Sequence, residues 1–314
     1  MLPGQSPGAR CSAIVSPVVP PGAGCTRPHF YPRIPRVALN TVKLLTLARD
    51  LQRRKARERQ HRFVAEGVRT VESLLASPLD VTGLLATDAL RADARGARLL
   101  VTAEQQGVPV HMVTEQELDS AADTDTPQGV LAVAVIPSAP LLPPANSARY
   151  LVLDALQDPG NVGTVVRTAA ALGVSATIAL PGTVDFWNAK VVRSSMGALF
   201  QHPVHSLAWE ELAGFFEAND VALWATDMDG ESLPAVDPLG LPERLAVVVS
   251  NEGAGVSAQV AGAVRRTVSI PMAEGVESLN VAVAAGIVLY ALRVAPPVAP
   301  PVAPAVASAV AQSS

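Results

Sequence analysis

The 314-residue chain is long enough for about two domains, and an apolar share of 49% with only 4% aromatics points to full-sized cores built from aliphatic side chains. A formal net charge of −4 argues against a generally basic coat for nucleic acid, so any polyanion contact has to rest on local charge. Both cysteines, Cys11 and Cys25, fall in a Pro/Gly-rich N-terminal stretch and the five histidines show no ligand spacing, which leaves no disulfide framework and no structural metal site in the folded regions.

Residues 1–36 are rich in Pro, Gly and Ser without periodicity, the composition of a disordered extension and equally of sequence upstream of a natural start. Pro3, Pro7, Pro17, Pro20 and Pro21 interrupt any signal-peptide core. From Arg36 to Arg69, ten Lys/Arg residues stand against three acids, Asp50, Glu58 and Glu66. The densest part, Arg53, Arg54, Lys55, Arg57, Arg59 and Arg62, would wrap most of a helix. Such a run is usually a solvated face. In a net-acidic chain, a block this basic is better explained by a polyanion, and Arg53, Arg54, Lys55, Arg57 and Arg62 are the candidate nucleic-acid contacts.

Through residue 136 short apolar runs alternate with amphipathic segments. FVAEG, VTGLLAT, PVHMV and GVLAVAV read as strands, and Val68–Ala76, Asp93–Gln106 and Glu115–Ala122 as helices. This alternation predicts a small α/β domain over 37–136. It holds no acid–base pair or nucleophile and reads as a binding module. PSAPLLPPANSA, residues 137–148, is a proline-rich linker and the clearest domain boundary.

A second α/β pattern covers 149–294. Its strands are Tyr150–Leu156, Ala176–Leu180, Val221–Thr226 and Leu245–Ser250, with a closing strand about Val268. Helices are expected at Val162–Leu172, Ala189–Ser195, Glu210–Asn219 and from Asn280 onward. Residues 295–314 repeat Pro, Val and Ala and read as a flexible tail. The longest apolar run, Val281–Leu292, is too short to span a bilayer, so a soluble cytoplasmic protein is expected.

Three loops, each directly after a predicted strand, carry the candidate chemistry. The first, DALQDPGNVGTVVRTAAALG, holds Asn161, a suitable N-cap, and Arg167 on the helix that follows. A cation there works against the helix dipole; it is either a surface arginine or a contact to a phosphate or hydroxyl. The second, VVVSNEGAGVSAQ, matches a dinucleotide fingerprint through Gly253, Gly255 and Ala258, with Glu274 downstream. That fingerprint belongs at the first strand of a βαβαβ half, whereas here one strand and one helix remain, which disfavours a nicotinamide site. The third, VSIPMAEGVESLNVAVAAG, places Ser278, Leu279 and Asn280 where the last helix begins. A helix start suits an anionic or carboxylate-bearing ligand; the simpler reading is Ser278 as a cap.

NVGTVVRTA (161–169), SNEGAG (250–255), and IPM with SLNVA (270–272 and 278–282), in that order, resemble the three signature motifs of the SpoU (TrmH-like) family of RNA 2′-O-ribose methyltransferases, in the SPOUT superfamily. RSSMGA (193–198), FVAEG (63–67) and PQGV (127–130) are also similar to that family, and the resemblance covers roughly Leu44 to Leu292. It implies an α/β protein: a SPOUT-type domain whose C-terminal segment forms a deep trefoil knot, preceded by a small ribosomal-protein-like α/β substrate-binding domain. Knots are otherwise nearly absent from proteins. It further implies S-adenosyl-L-methionine as cofactor, a homodimer through the methyltransferase domain, and RNA as partner, with 23S rRNA favoured over tRNA. Carried over by motif, Ser250, Gly253, Ile270, Met272 and Leu279 would hold the cofactor, and Asn161, Arg167, Glu252, Ser278 and Asn280 would form the catalytic group. Asp158 and Ser250 stand where the family frequently has Asn and Gly.

The chemistry suits these residue types. The sulfonium is already a strong electrophile, so positioning and activation of a ribose hydroxyl remain for the protein. The family credits the motif-one arginine with activation, but a pKa above about 12 makes arginine an awkward base. Arg167 is better suited to stabilising the developing alkoxide, with a neighbouring phosphate relaying the proton. A non-catalytic RNA-binding protein on the same scaffold is the alternative, and Asn161, Arg167, Glu252 and Asn280 argue against it.

Overall fold

The computed structural model describes residues 39–144, 146–237, 240–251, 255–276 and 278–293. The N-terminal extension with its two cysteines, the C-terminal tail, Glu252 and Gly253 lie outside the described residues.

The front domain is one four-stranded sheet covered on both faces. Its strands β1 (Arg62–Glu66), β2 (Val81–Ala86), β3 (Val110–Met112) and β4 (Val130–Val135) lie in the order β1-β4-β2-β3, and β4 runs antiparallel to both neighbours. Its helices are α1 (Thr41–Asp50), α2 (Arg54–Gln60), α3 (Val68–Leu75), α4 (Asp88–Ala92), α5 (Ala94–Gln105) and α6 (Glu115–Asp119). Side chains alternate across a strand, and β1 follows the rule. Phe63 and Ala65 join the core under α3 and α5, while Val64 turns to the core under α1 and α6. Because both faces are covered, β4 is almost continuously apolar, VLAVAV. Capping fixes the helix starts: Asn40 accepts from the Lys43 N–H, and Thr114 with Glu117 forms a capping box. Helix α1 falls inside what reads in the sequence as a basic run; its buried face is Leu44, Leu45 and Ala48.

The second domain is a six-stranded, all-parallel sheet in the order β10-β8-β9-β5-β6-β7. In chain order it contains β5 (Ala148–Asp154), α7 (Pro159–Ala171), β6 (Ala176–Ala179), α8 (Ala189–Ser194), β7 (Val204–Ser206), α9 (Trp209–Ala218), β8 (Ala222–Ser232), β9 (Arg244–Ser250), α10 (Ala258–Ala261), β10 (Arg266–Ser269) and α11 (Val281–Ala291). Every residue of central β5 is buried, as a parallel strand between helical layers must be. Strand β7 has no clear sequence signal, being three residues long and none of them buried. Strand β8 runs six residues past Thr226 because Glu231 and Ser232 pair with β10 after a shift in register.

Arg149, 9% exposed, has no carboxylate partner among the described residues. Its guanidinium donates to the carbonyls of Ala148, Pro242, Glu243 and Leu292, tying the end of α11 to the start of β5.

The proline-rich stretch divides the sequence, yet the core crosses it. Phe63 of the front domain stacks within 4.5 Å of Trp187 and 5.9 Å of Phe200. One apolar cluster runs from Leu74 and Leu84 through these rings to Val162, Val165 and Leu289.

Candidate active site

The first and third loops meet through two asparagines. Sequence reasoning makes Asn161 the cap of α7; the structure gives that position to Asp158, whose carboxylate accepts from the Asn161 N–H at 2.7 Å. Pro159 explains the shift, since a residue lacking an N–H and fixed near helical φ suits the first helical position. The Asn161 side chain is thereby released. Its Oδ1 accepts from Asn280 Nδ2 at 3.0 Å. Asn280, and not Ser278, caps α11: its Oδ1 accepts from the N–H groups of Ala282 (2.9 Å) and Val283 (3.4 Å). Those two donors fix the amide orientation, because the reverse flip would set Nδ2 against them. The N-terminal ends of α7 and α11 therefore converge, and their dipoles favour negative charge forming beside the pair.

Helix α7 is seated by a close approach to α8. A Cβ on Gly163 would lie 1.9 Å from Ser194 Oγ and 2.7 Å from the Val191 carbonyl oxygen, so only glycine fits. Arg167 is exposed, and its guanidinium makes no hydrogen bond or ion pair among the described residues. Six residues beyond Asn161 it is turned roughly 240° around the helix. One chain therefore does not bring Arg167 to the asparagine pair.

Ser250 ends β9 and pairs in register with Asp154, the last residue of β5. Asp154 is 2% exposed, and its Oδ2 accepts from the Ser257 N–H at 2.7 Å, which anchors the second loop. The sequence reading missed Asp154; the available signal is an acid directly after the apolar run Leu151–Leu153. Helix α10, following that loop, is four residues long, too short for the helix a dinucleotide fingerprint requires.

In the third loop Ile270, Met272 and Leu279 are half-buried and Ser278 is exposed. The backbone polar groups of Met272 and Leu279 make no hydrogen bond among the described residues. Free main-chain donors and acceptors on the third loop fit a nucleoside cofactor recognised through the backbone. A cleft of about 800 Å³ joins Ile270 and Pro271 to Leu233, Asn161 and Asn280, and continues along Val283, Ile287 and Tyr290 of α11. Ser250, Met272, Ser278 and Leu279 do not line it. Among the described residues no cluster of His, Cys, Asp or Glu is arranged to hold a metal ion, and no helix is long and apolar enough to cross a membrane.

The basic run splits. Arg53 occupies the N-cap position of α2 without a side-chain capping bond, Arg54 and Lys55 are exposed on its first turn, and Arg59 is exposed near its end. Asp50 and Glu58 pair with Arg53 and Arg54 at the surface, a weak constraint. Arg62 stands on β1, half-buried, donating to the Gln60 carbonyl. Arg57 is a correction to the sequence reading. It is 4% exposed, donates to Asp185 Oδ2 at 2.7 Å and to the carbonyls of Leu51 and Gln52, and faces the second domain instead of solvent. A helix that must bury one side against a neighbour cannot present every arginine outward.

Three other motifs meet at the same seam. The buried Glu66 of FVAEG accepts from the Asp123 N–H and the Thr124 hydroxyl, and Gln128 of PQGV accepts from the Val68 N–H. Asp123 in turn pairs with Arg193 of RSSMGA at 3.1 Å.

Residues 148–290 match the SpoU rRNA methylase family and residues 41–132 match an MRM3-like substrate-binding domain. The 23S rRNA (guanosine(2553)-2′-O)-methyltransferase RlmP of Bacillus subtilis is 33% identical over 245 residues, covering 78% of this chain and 94% of that one. The 23S rRNA (adenosine(1067)-2′-O)-methyltransferase of Streptomyces laurentii is 31% identical over 196 residues, 61% of this chain and 72% of its own. Among solved structures, AdoMet-bound rRNA methyltransferase from Sinorhizobium meliloti is similar with a TM-score of 0.70 at 27% identity, covering 82% of this chain and 96% of that one. The SpoU methyltransferase AviRb from Streptomyces viridochromogenes, in complex with AdoMet, gives 0.69 at 27% identity, over 81% and 97%. Fold and relatives together define the class, an α/β methyltransferase domain with a substrate-binding domain attached in front. The chain belongs to the SpoU rRNA methylase family.

Proposed function

We propose that the protein methylates a ribose 2′-hydroxyl in 23S rRNA, using S-adenosylmethionine. The observation that carries this reading is the Asn161–Asn280 bond, which joins the first and third signature loops at two converging helix starts. The likeness to RlmP over nearly its whole length supports the reaction and the RNA class.

The bound cofactor supplies an electrophilic methyl group. The chain's own residues hold and activate the acceptor. Met272 and Leu279, whose backbone groups are free among the described residues, would hold the cofactor together with Ser250, Ile270 and, by motif, Gly253. Asn161 and Asn280 orient the ribose, and Ser278 and Glu252, carried over by motif, complete the catalytic group. Arg167, supplied by the second copy of a dimer, stabilises the alkoxide as the 2′-proton leaves, and a neighbouring phosphate accepts that proton. Arg167→Ala should abolish transfer while leaving S-adenosylmethionine affinity unchanged in calorimetry. A variant that keeps more than about a tenth of the wild-type rate, a loss under ~1.4 kcal/mol, would remove that role. Methyl incorporation into 23S rRNA fragments, with 2′-O-methyl mapping in cells lacking the gene, tests the whole reading; no transfer to any rRNA would sink it.

The working unit is a homodimer paired through α7 and α11. Val283, Ile287 and Tyr290 expose apolar surface along α11 (52%, 40% and 59%), a continuous face that a second copy would cover, and the Arg167 guanidinium on the adjoining helix is unpaired among the described residues. Val283→Asp should yield monomers in sedimentation analysis; a monomeric wild type would refute the pairing. The C-terminus is knotted, a reading supported by β10 at one sheet edge being followed by an α11 that packs on α7 and β9 near the centre. A crystallographic trace that straightens when its ends are pulled would remove the knot. A ribosomal substrate places the enzyme in the cytoplasm, which cell fractionation checks.

A further inference from the structure

Helix α8 lies between α7 and β1, and so between the catalytic loops and the front domain. Lys190 is on its first turn and exposed. Its Cε sits 4.0 Å from where a Cβ on Gly160 would stand, over the opening turn of α7 and one residue from Asn161. Asn188 accepts from the Lys190 backbone N–H, but the ammonium makes no ion pair or hydrogen bond among the described residues. Asp158, on that turn, accepts from the Asn161 N–H and forms no ion pair with Lys190 among the described residues. Arg193, one turn further along α8, is neutralised by Asp123. Lys190 is thus a free cation beside the asparagine pair.

Its other neighbourhood is the α2 seam. The buried Arg57–Asp185 pair docks α2 on the segment that enters α8 five residues before Lys190. Rings of both domains close the same seam, so the distance between α2 and α8 is set by a packed core. The exposed cations of α2 and Lys190 therefore stand on elements held in fixed relation, with Asn161 at the far end.

We infer that Lys190 binds a phosphate of the RNA backbone beside the nucleotide being methylated, and so acts as a positioning residue that carries the α2 contacts forward to the chemistry. A lysine ammonium is a compact point charge suited to one phosphate, and phosphate contacts set register without reading sequence. The inference rests on the methyltransferase reading above. The alternative partner for a cation here is the carboxylate of the cofactor, and the test separates the two.

The full chain should be prepared with Lys190→Ala, Lys190→Arg and Lys190→Glu, alongside a variant replacing Arg53, Arg54 and Arg59 with Ala. Lys190→Ala should raise KM for RNA about tenfold, a loss of ~1.4 kcal/mol, and leave the calorimetric Kd for S-adenosylmethionine unchanged. The salt slope of RNA binding should become shallower by about 0.7, one single-strand phosphate contact. Lys190→Arg should restore most of the KM, and Lys190→Glu should be worse than Ala. Unchanged KM and salt slope for Lys190→Ala, with the triple variant impaired, would overturn the inference and leave the RNA reading intact. Weakened cofactor binding with unchanged RNA affinity would overturn it in favour of the cofactor carboxylate. Failure of the unaltered protein to methylate or bind RNA would overturn both.

Discussion

At the scale of the residue, Asn280 joins two tasks in one amide: its oxygen caps α11 and its nitrogen donates to Asn161. The two can be separated. Aspartate is as good a cap as asparagine and favours the helix dipole, but it lacks the donor and sets a carboxylate against Asn161 Oδ1. Asn280→Asp should keep or slightly raise the melting temperature while lowering the methylation rate at least tenfold. Asn280→Ala should lose both, with about 1 kcal/mol of stability gone. If Asn280→Asp works at the wild-type rate, the bond between the loops serves the fold and not the reaction.

His202 belongs to the elements. It links the end of the segment after α8 to β6, its Nε2 lying 2.8 Å from the buried Thr177 hydroxyl. At 7% exposure, burial first and His205 second lower its pKa from 6.5 to about 4. Between those two values the unfolded chain binds the proton and the folded one does not, so stability rises with pH across that window. It is complete above about pH 6.5 and is lost as pH falls toward 4. Urea unfolding at pH 7.5 and 5 should differ by on the order of 2 kcal/mol from this group, at about 1.4 kcal/mol per pH unit. His202→Asn should flatten that difference; an equally steep profile in the variant would place the effect elsewhere.

At the scale of the whole molecule, the two domains share a core and should unfold together. Arg57 and Asp185 have side chains only 5% and 16% exposed, so removing one leaves a buried charge without its partner. Arg57→Met should cost about 3 kcal/mol in urea unfolding, and Arg57→Met with Asp185→Asn should recover part of it. Fluorescence of Trp187 at the seam and far-ultraviolet dichroism should report one coincident transition. Two separate transitions would mean that the proline-rich linker divides the fold as well as the sequence.

What the chain determined by itself was local. Alternating apolar runs gave most of the strands, because a buried parallel strand has to be apolar on both faces. The order of the loop motifs gave the family and the asparagines, because each motif is a short contiguous stretch. Asp158 with Pro159 also carried the true start of α7, a capping signal readable in four residues though outcompeted by the attraction of Asn161. What depended on distant partners was not legible. Arg57 differs from Arg53 and Arg54 only by which side of a seven-residue helix meets Asp185, 128 residues away. Asp154 looks like any strand-ending acid until Ser257 folds back onto it, and Lys190 like any surface lysine until α8 is laid across the first turn of α7. Propensity and patterning act over a few residues, whereas burial and ion pairing are decided by whatever the tertiary fold brings alongside, and that is where the roles of these charges were set.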